Sequence, residues 1–151
     1  MIIIAVVLAL APVFAQKPAP PQSSDLTRAI VKSYLEIQGH LAADRYEDVK
    51  GPAQLLVSQA TALGKEGAAL AQAASAFAAA GSMVKAREAF GPLSDAVIAR
   101  VKADKSSDVA GELRLAYCPM VRKSWLQREE QVRNPYYGSQ MLTCGELKPV
   151  K

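Results

Sequence analysis

Two sulfur pairs near the end of the chain carry its most distinctive chemistry. Cys118 and Met120 stand two residues apart, and Met141 and Cys144 stand three apart. Thiolate and thioether are soft, polarisable donors, and such a set selects Cu(I) or Ag(I) over hard cations. A structural zinc site wants more cysteine or histidine than a chain with two cysteines and one histidine can supply. Calcium wants several convergent oxygens, which this segment does not gather. The candidate metal ligands are therefore Cys118, Met120, Met141 and Cys144. His40 is an outlying addition, because imidazole joins mixed copper sites. A lone histidine near a helix end also suits a surface or capping position.

The same cysteines support a second reading, and the N-terminus sets its context. Residues 2–11, IIIAVVLALA, are unbroken apolar sequence, followed by Pro12 and by small residues at Val13 and Ala15. The pattern is that of a secretory signal peptide over residues 1–15, although no Lys or Arg precedes the apolar run. It is shorter than the roughly 20 residues of a membrane-spanning helix, so no stable membrane insertion is expected after cleavage. Export, to the periplasm of a bacterium, favours disulfides. A Cys118–Cys144 bond, closing a 26-residue separation, would stabilise the fold by about 3.5 kcal/mol on the chain-entropy model. It would also remove both thiolates and leave two thioethers. The two states can alternate, with redox state governing metal affinity. Residue types and spacing leave disulfide, soft-metal ligation and inert thiols all open.

Other chemistries are poorly supplied. A Ser/His/Asp or Cys/His device has only His40 to draw on, and no G-x-S-x-G elbow occurs. There is no Gly-rich phosphate loop. Asp44, Glu47 and Asp48 cluster at a spacing that suits helix capping and a solvated face rather than paired acid–base catalysis. A net charge of +4 with no run of five basic residues argues against nucleic-acid binding. The chain reads as a non-enzyme.

The elements that must position the sulfurs are mostly helical. Residues 16–24, with Pro18, Pro20 and Pro21, read as a flexible tether, and residues 25–151 as one domain. Ser24 and Asp25 can cap a helix reaching about Ala43, with Leu26, Ile30, Tyr34, Ile37 and Leu41 on one face. Asp44 with Glu47 forms a capping pattern for a second helix to about Leu63, in which Pro52 predicts a kink or a late start. Alanine-rich residues 68–80 form a third helix. Ser82 opens the fourth, to about Lys102, with Val84, Phe90, Leu93, Val97 and Val101 facing inward and a bend at Gly91-Pro92. Met83 reads as core filler. The fold class expected is mainly α: a four-helix up-down bundle. A motif segment, residues 113–148, is laid across it as a short extended arm (Leu113 to Tyr117), a short helix (Trp125 to Val132) and turns at Asn134-Pro135 and Gly138.

Several short strings in that segment go together: CPM at 118–120, WL at 125–126, NPYYG at 134–138 and MLTCG at 141–145. They resemble an uncharacterised family of exported bacterial proteins. The same domain is found appended to periplasmic adaptor subunits of copper/silver efflux systems of the resistance-nodulation-division type. YLEIQGHLAAD at 34–44 and AREAFGPLS at 86–94 resemble its helices, so the likeness spans about residues 25–148. The resemblance implies a helical domain with a suggested role in metal binding or efflux. Carried over, it points to Cys118, Met120, Met141 and Cys144 as ligands and to a periplasmic efflux component as partner. One departure is the short VRKS (121–124) between CPM and WL, where relatives carry a longer turn with Gly and Asn. The alternative function, from a different class, is a disulfide-stapled periplasmic interaction module without metal, using Trp125, Tyr136 and Tyr137 as its contact surface.

Overall fold

The structure, a computed structural model, describes residues 22–105 and 108–150. The expected signal peptide and residues 16–21 of the tether lie outside the described residues. Four helices form first in the chain: α1 (Ser23–Ala42), α2 (Lys50–Ala62), α3 (Ala68–Ala78) and α4 (Met83–Ala103). Three strands follow: β1 (Arg114–Cys118), β2 (Lys123–Gln127) and β3 (Glu146–Pro149). No helix among the described residues is long and apolar enough to cross a membrane.

The helices follow the apolar periodicity. Ile30, Tyr34, Ile37 and Leu41 of α1 are buried, as are Ala53, Leu56 and Ala60 of α2. Leu70, Ala74 and Phe77 of α3 face Phe90, Leu93, Val97 and Val101 of α4 in one core. Consecutive helices pack together, and α1 also meets α4. Ser82 Oγ accepts from Lys85 N at 3.3 Å and caps α4. Met83 packs against the core, but Val84, expected inside, is exposed. α1 begins at Ser23, inside the stretch read as tether, and Ser24 and Asp25 do not cap it. α2 has the late start: a 3-10 turn at Glu47–Val49 precedes it, and Pro52 falls in its first turn, where no helical bond is lost. Asp44 does not cap that helix. It takes a left-handed backbone (φ 58°), and its carboxylate turns to the C-terminal segment.

That segment departs most from expectation. It is neither an extended arm nor a helix. It is a three-stranded antiparallel sheet in the order β2-β1-β3. The short helix expected over Trp125 to Val132 is not formed, and Trp125, Leu126 and Gln127 belong to β2. They are strand, and all three are buried, because one face of β2 lies against α4 and α1 while the other faces the rest of the segment. A strand covered on both faces loses the polar alternation that identifies it in sequence. The β1–β2 turn, Pro119–Arg122, closes with Arg122 in the left-handed region (φ 53°).

Tyr34 joins helices to sheet. Leu126 N, on the outer edge of β2, donates to Tyr34 Oη at 3.1 Å, and Tyr34 Oη shares a 2.6 Å hydrogen bond with Ser94 Oγ of α4. Burial pushes the Tyr34 phenol far up, so it stays protonated and serves as a hydrogen-bonding bridge. An aromatic chain runs through the same interface. Tyr34 stacks on Phe90 at 5.2 Å, Phe90 meets Tyr136 at 5.6 Å, and Tyr136 meets Trp125 edge-on at 5.9 Å.

Candidate functional site

The sheet register brings the cysteines together. β1 is the central strand, and Cys118 is its last residue, on the buried face with Ala116. Tyr117 pairs with Glu146 of β3, so one further step places Gly145 opposite Cys118. Gly145 has φ +147°, and a Cβ there would stand 3.0 Å from the Trp125 ring and 3.1 Å from Tyr117 O. Only glycine fits this close turn without strain. The turn carries Cys144 back over the end of β1. The two sulfurs lie 3.4 Å apart, as free thiols.

Asn134 holds the pair from beneath. It is wholly buried. Its Nδ2 donates to Cys144 O at 2.8 Å, its Oδ1 accepts from Tyr136 N at 2.8 Å, and its backbone N donates to Leu142 O at 2.7 Å. Tyr136 Oη in turn donates to Ser124 O at 2.9 Å. Gln127 braces the intervening loop: its Oε1 accepts from Trp125 Nε1 and Arg133 N, both at 3.0 Å. From the helices, Gln38 Nε2 donates to Arg133 O at 2.6 Å and Arg87 Nε to Pro135 O at 3.1 Å.

The two thiols are electrostatically unequal. Burial opposes ionisation of Cys118 and is the largest single influence on it. Hydrogen bonds from Val121 N, the Cys144 thiol, Met120 N and the Asn134 side chain together outweigh it, and Cys118 ionises below its ordinary range. Cys144 is pushed up, because its proton is held by the Cys118 sulfur, with burial and the Cys118 charge adding to the effect.

The methionines stand on the outside. Met120 sits in the β1–β2 turn and is 64% exposed, while Met141 opens the turn ending at Cys144 and is 37% exposed. Neither fills a core pocket. With Tyr117 they are three of the five exposed large hydrophobics among the described residues, and all three lie within three positions of a cysteine in the chain. His40 is placed elsewhere, at the end of α1. Its Nδ1 is buried without a hydrogen-bond partner, 3.8 Å from Asp48 Oδ2. Among the described residues no three His, Cys, Asp or Glu side chains gather as a metal-ligating group, so the structure does not bring His40 to the thiol pair. Trp125 and Tyr136 are buried, so of the three aromatic residues expected at a contact surface only Tyr137 is partly exposed.

The donor set fits a soft ion. Metal–sulfur bonds of about 2.3 Å span a sulfur–sulfur edge of roughly 3.8 Å in a tetrahedral site. The 3.4 Å pair is within a small shift of that edge, and well outside the ~2.05 Å of a disulfide. Cys118 is already predisposed to the thiolate form that binds metal. Sequence reasoning named all four sulfurs but missed Asn134, which it read only as a turn signal, and Tyr34, which it read only as a core position. Compared with known proteins, the chain matches no protein-family model, no curated protein and no solved structure.

Proposed function

We propose that the protein is an exported, non-enzymatic binder of Cu(I) or Ag(I), serving as a periplasmic metal buffer or as a donor to an efflux component. In this reading the helices act as an up-and-down bundle that frames the sulfur site. Cys118 and Cys144 supply charge and strength. Met120 and Met141 supply selectivity for soft ions and exchange ligands with a partner. Methionine has three rotatable side-chain bonds, so a surface thioether swings onto a neighbouring ion without disturbing the fold.

The observation that carries the reading is one of placement. Two thiols meet at the end of the central strand, and the methionine of each motif, two or three positions away in the chain, is exposed rather than held in the core. Core filling explains a buried thioether, but it does not explain these two. The resemblance of CPM and MLTCG to an efflux-associated family points the same way. The disulfide-stapled module keeps one supporting observation, the closeness of the two sulfurs, while Trp125 and Tyr136 of its aromatic surface are buried.

The test is anaerobic titration of the reduced protein with Cu(I) against a competing chelator. One equivalent should bind, Cys118→Ser should abolish tight binding, and Met120→Ala with Met141→Ala should weaken it while favouring harder ions. Wild-type affinity no greater than that of a Cys118→Ser/Cys144→Ser variant would sink the proposal.

A further inference from the structure

Cys118 and Cys144 differ in access to solvent. Cys118 has no exposed surface; it ends a strand paired on both sides, with β2 and β3. Cys144 is partly exposed and lies in the turn closed by Cys144 N donating to Met141 O at 3.0 Å. That turn joins β3 through Gly145, whose φ is +147°. Met120, Met141 and Tyr117, each within three positions of a cysteine in the chain, are exposed, and of the two cysteines only Cys144 reaches the surface.

We propose that Cys118 and Cys144 form a reversible dithiol–disulfide couple that exchanges with external disulfides through Cys144, with Cys118 as the resolving sulfur. In the first step the Cys144 sulfur, its proton released, attacks one sulfur of an external disulfide. The external S–S bond breaks, one thiolate leaves, and a mixed disulfide forms on Cys144. In the second step Cys118 attacks Cys144 Sγ across the 3.4 Å gap. The mixed disulfide breaks and the second external thiolate leaves. The couple loses two electrons and two protons, and the external disulfide becomes two thiols. Exchange rates follow access to the attacked and attacking sulfur, which here is one-sided. One consequence rests on the metal-binding reading: closing the bond removes both thiolates, so oxidation expels the ion and bound ion protects the thiols.

The experiment uses metal-free reduced protein and oxidised glutathione, with acid quenching and intact-mass analysis. Wild type should pass to the internal disulfide without accumulating a glutathione adduct. Cys118→Ala should accumulate the adduct on Cys144, and Cys144→Ser should react at Cys118 at least about tenfold more slowly, as its burial dictates. A variant-free arm treats wild type with limiting iodoacetamide and maps the labelled peptide, which should be that of Cys144. Labelling of Cys118 first, or wild type stopping at the mixed disulfide, overturns the proposal. A final arm preloads one equivalent of Cu(I) and expects slower oxidation. Loss of that protection alone counts against the metal reading, while the metal-free arms still decide the couple.

Discussion

At the scale of single residues, Asn134 matters as much as either cysteine. Its side chain spans from the Cys144 carbonyl to Tyr136 N and also contributes a hydrogen bond to the Cys118 sulfur. Asn134→Ala leaves a buried carbonyl and a buried N–H unpaired, a cost of roughly 1–3 kcal/mol for each buried group left unsatisfied. It also removes one of the donors that favour the Cys118 thiolate. The ultraviolet absorbance of the thiolate, followed against pH, should therefore begin its rise at higher pH in Asn134→Ala than in wild type. An unchanged onset would mean that the backbone donors of Met120 and Val121 suffice. The residue types of the site were plain in the sequence. That Asn134 is buried under the cysteines was not, because a turn-forming asparagine and a buried bridging asparagine look alike until the surrounding chain is placed.

At the scale of elements, two contacts tie the sheet to the helices. Tyr34 satisfies the edge of β2 through Leu126 N. Tyr34→Phe removes the hydroxyl while keeping the ring stacked on Phe90, and strands a buried N–H and the Ser94 hydroxyl. Stability should fall by roughly 1–3 kcal/mol. In urea, the midpoint should drop while the slope stays constant, since the surface exposed on unfolding is unchanged. The second tie is Asp44, which accepts from Ser139 N at 3.0 Å and pairs with Arg87. The Ser139 hydrogen bonds first, then Arg87, hold its carboxyl down to about 2. Its unfolded value is about 3.9. A depressed folded value means that the contribution is complete above the unfolded value and is lost as pH falls through the folded one. The stability gap between wild type and Asp44→Asn should therefore persist down to about pH 4 and vanish by about pH 2. With the side chain 39% exposed, solvent screening keeps the gap small. Urea melts across that range check this, and a gap indifferent to pH would remove the ion pair from the account.

At the scale of the whole molecule, helices and sheet share one core. The aromatic chain from Phe77 through Phe90 and Tyr136 to Trp125 passes from α3 and α4 into the C-terminal segment without a break. A three-stranded sheet this small has no independent core of its own. It should unfold together with the helices. Trp125, the only tryptophan and fully buried, reports on the sheet. Far-ultraviolet circular dichroism reports mainly on the helices. The two should give coincident denaturation curves, as two-state unfolding demands. Separated midpoints would show that the sulfur-bearing segment opens on its own.

The sequence by itself determined the helices and the candidate sulfurs. A stripe at steps of three and four and a run of alanines are local properties, so α1, α3 and α4 were legible within a residue or two, and Pro52 marked α2 for a kink or a late start. Cys118, Met120, Met141 and Cys144 announced their chemistry by type alone. Tertiary structure decided the rest. β2 reads as helix or strand until its partners are known, because it is buried on both faces. β3, Glu146–Pro149, has no apolar pattern and exists as a strand only through its pairing with β1. The meeting of Cys118 with Cys144 depends on that pairing and on the turn at Gly145. No property of two residues 26 positions apart encodes such a distance; the register of a sheet does.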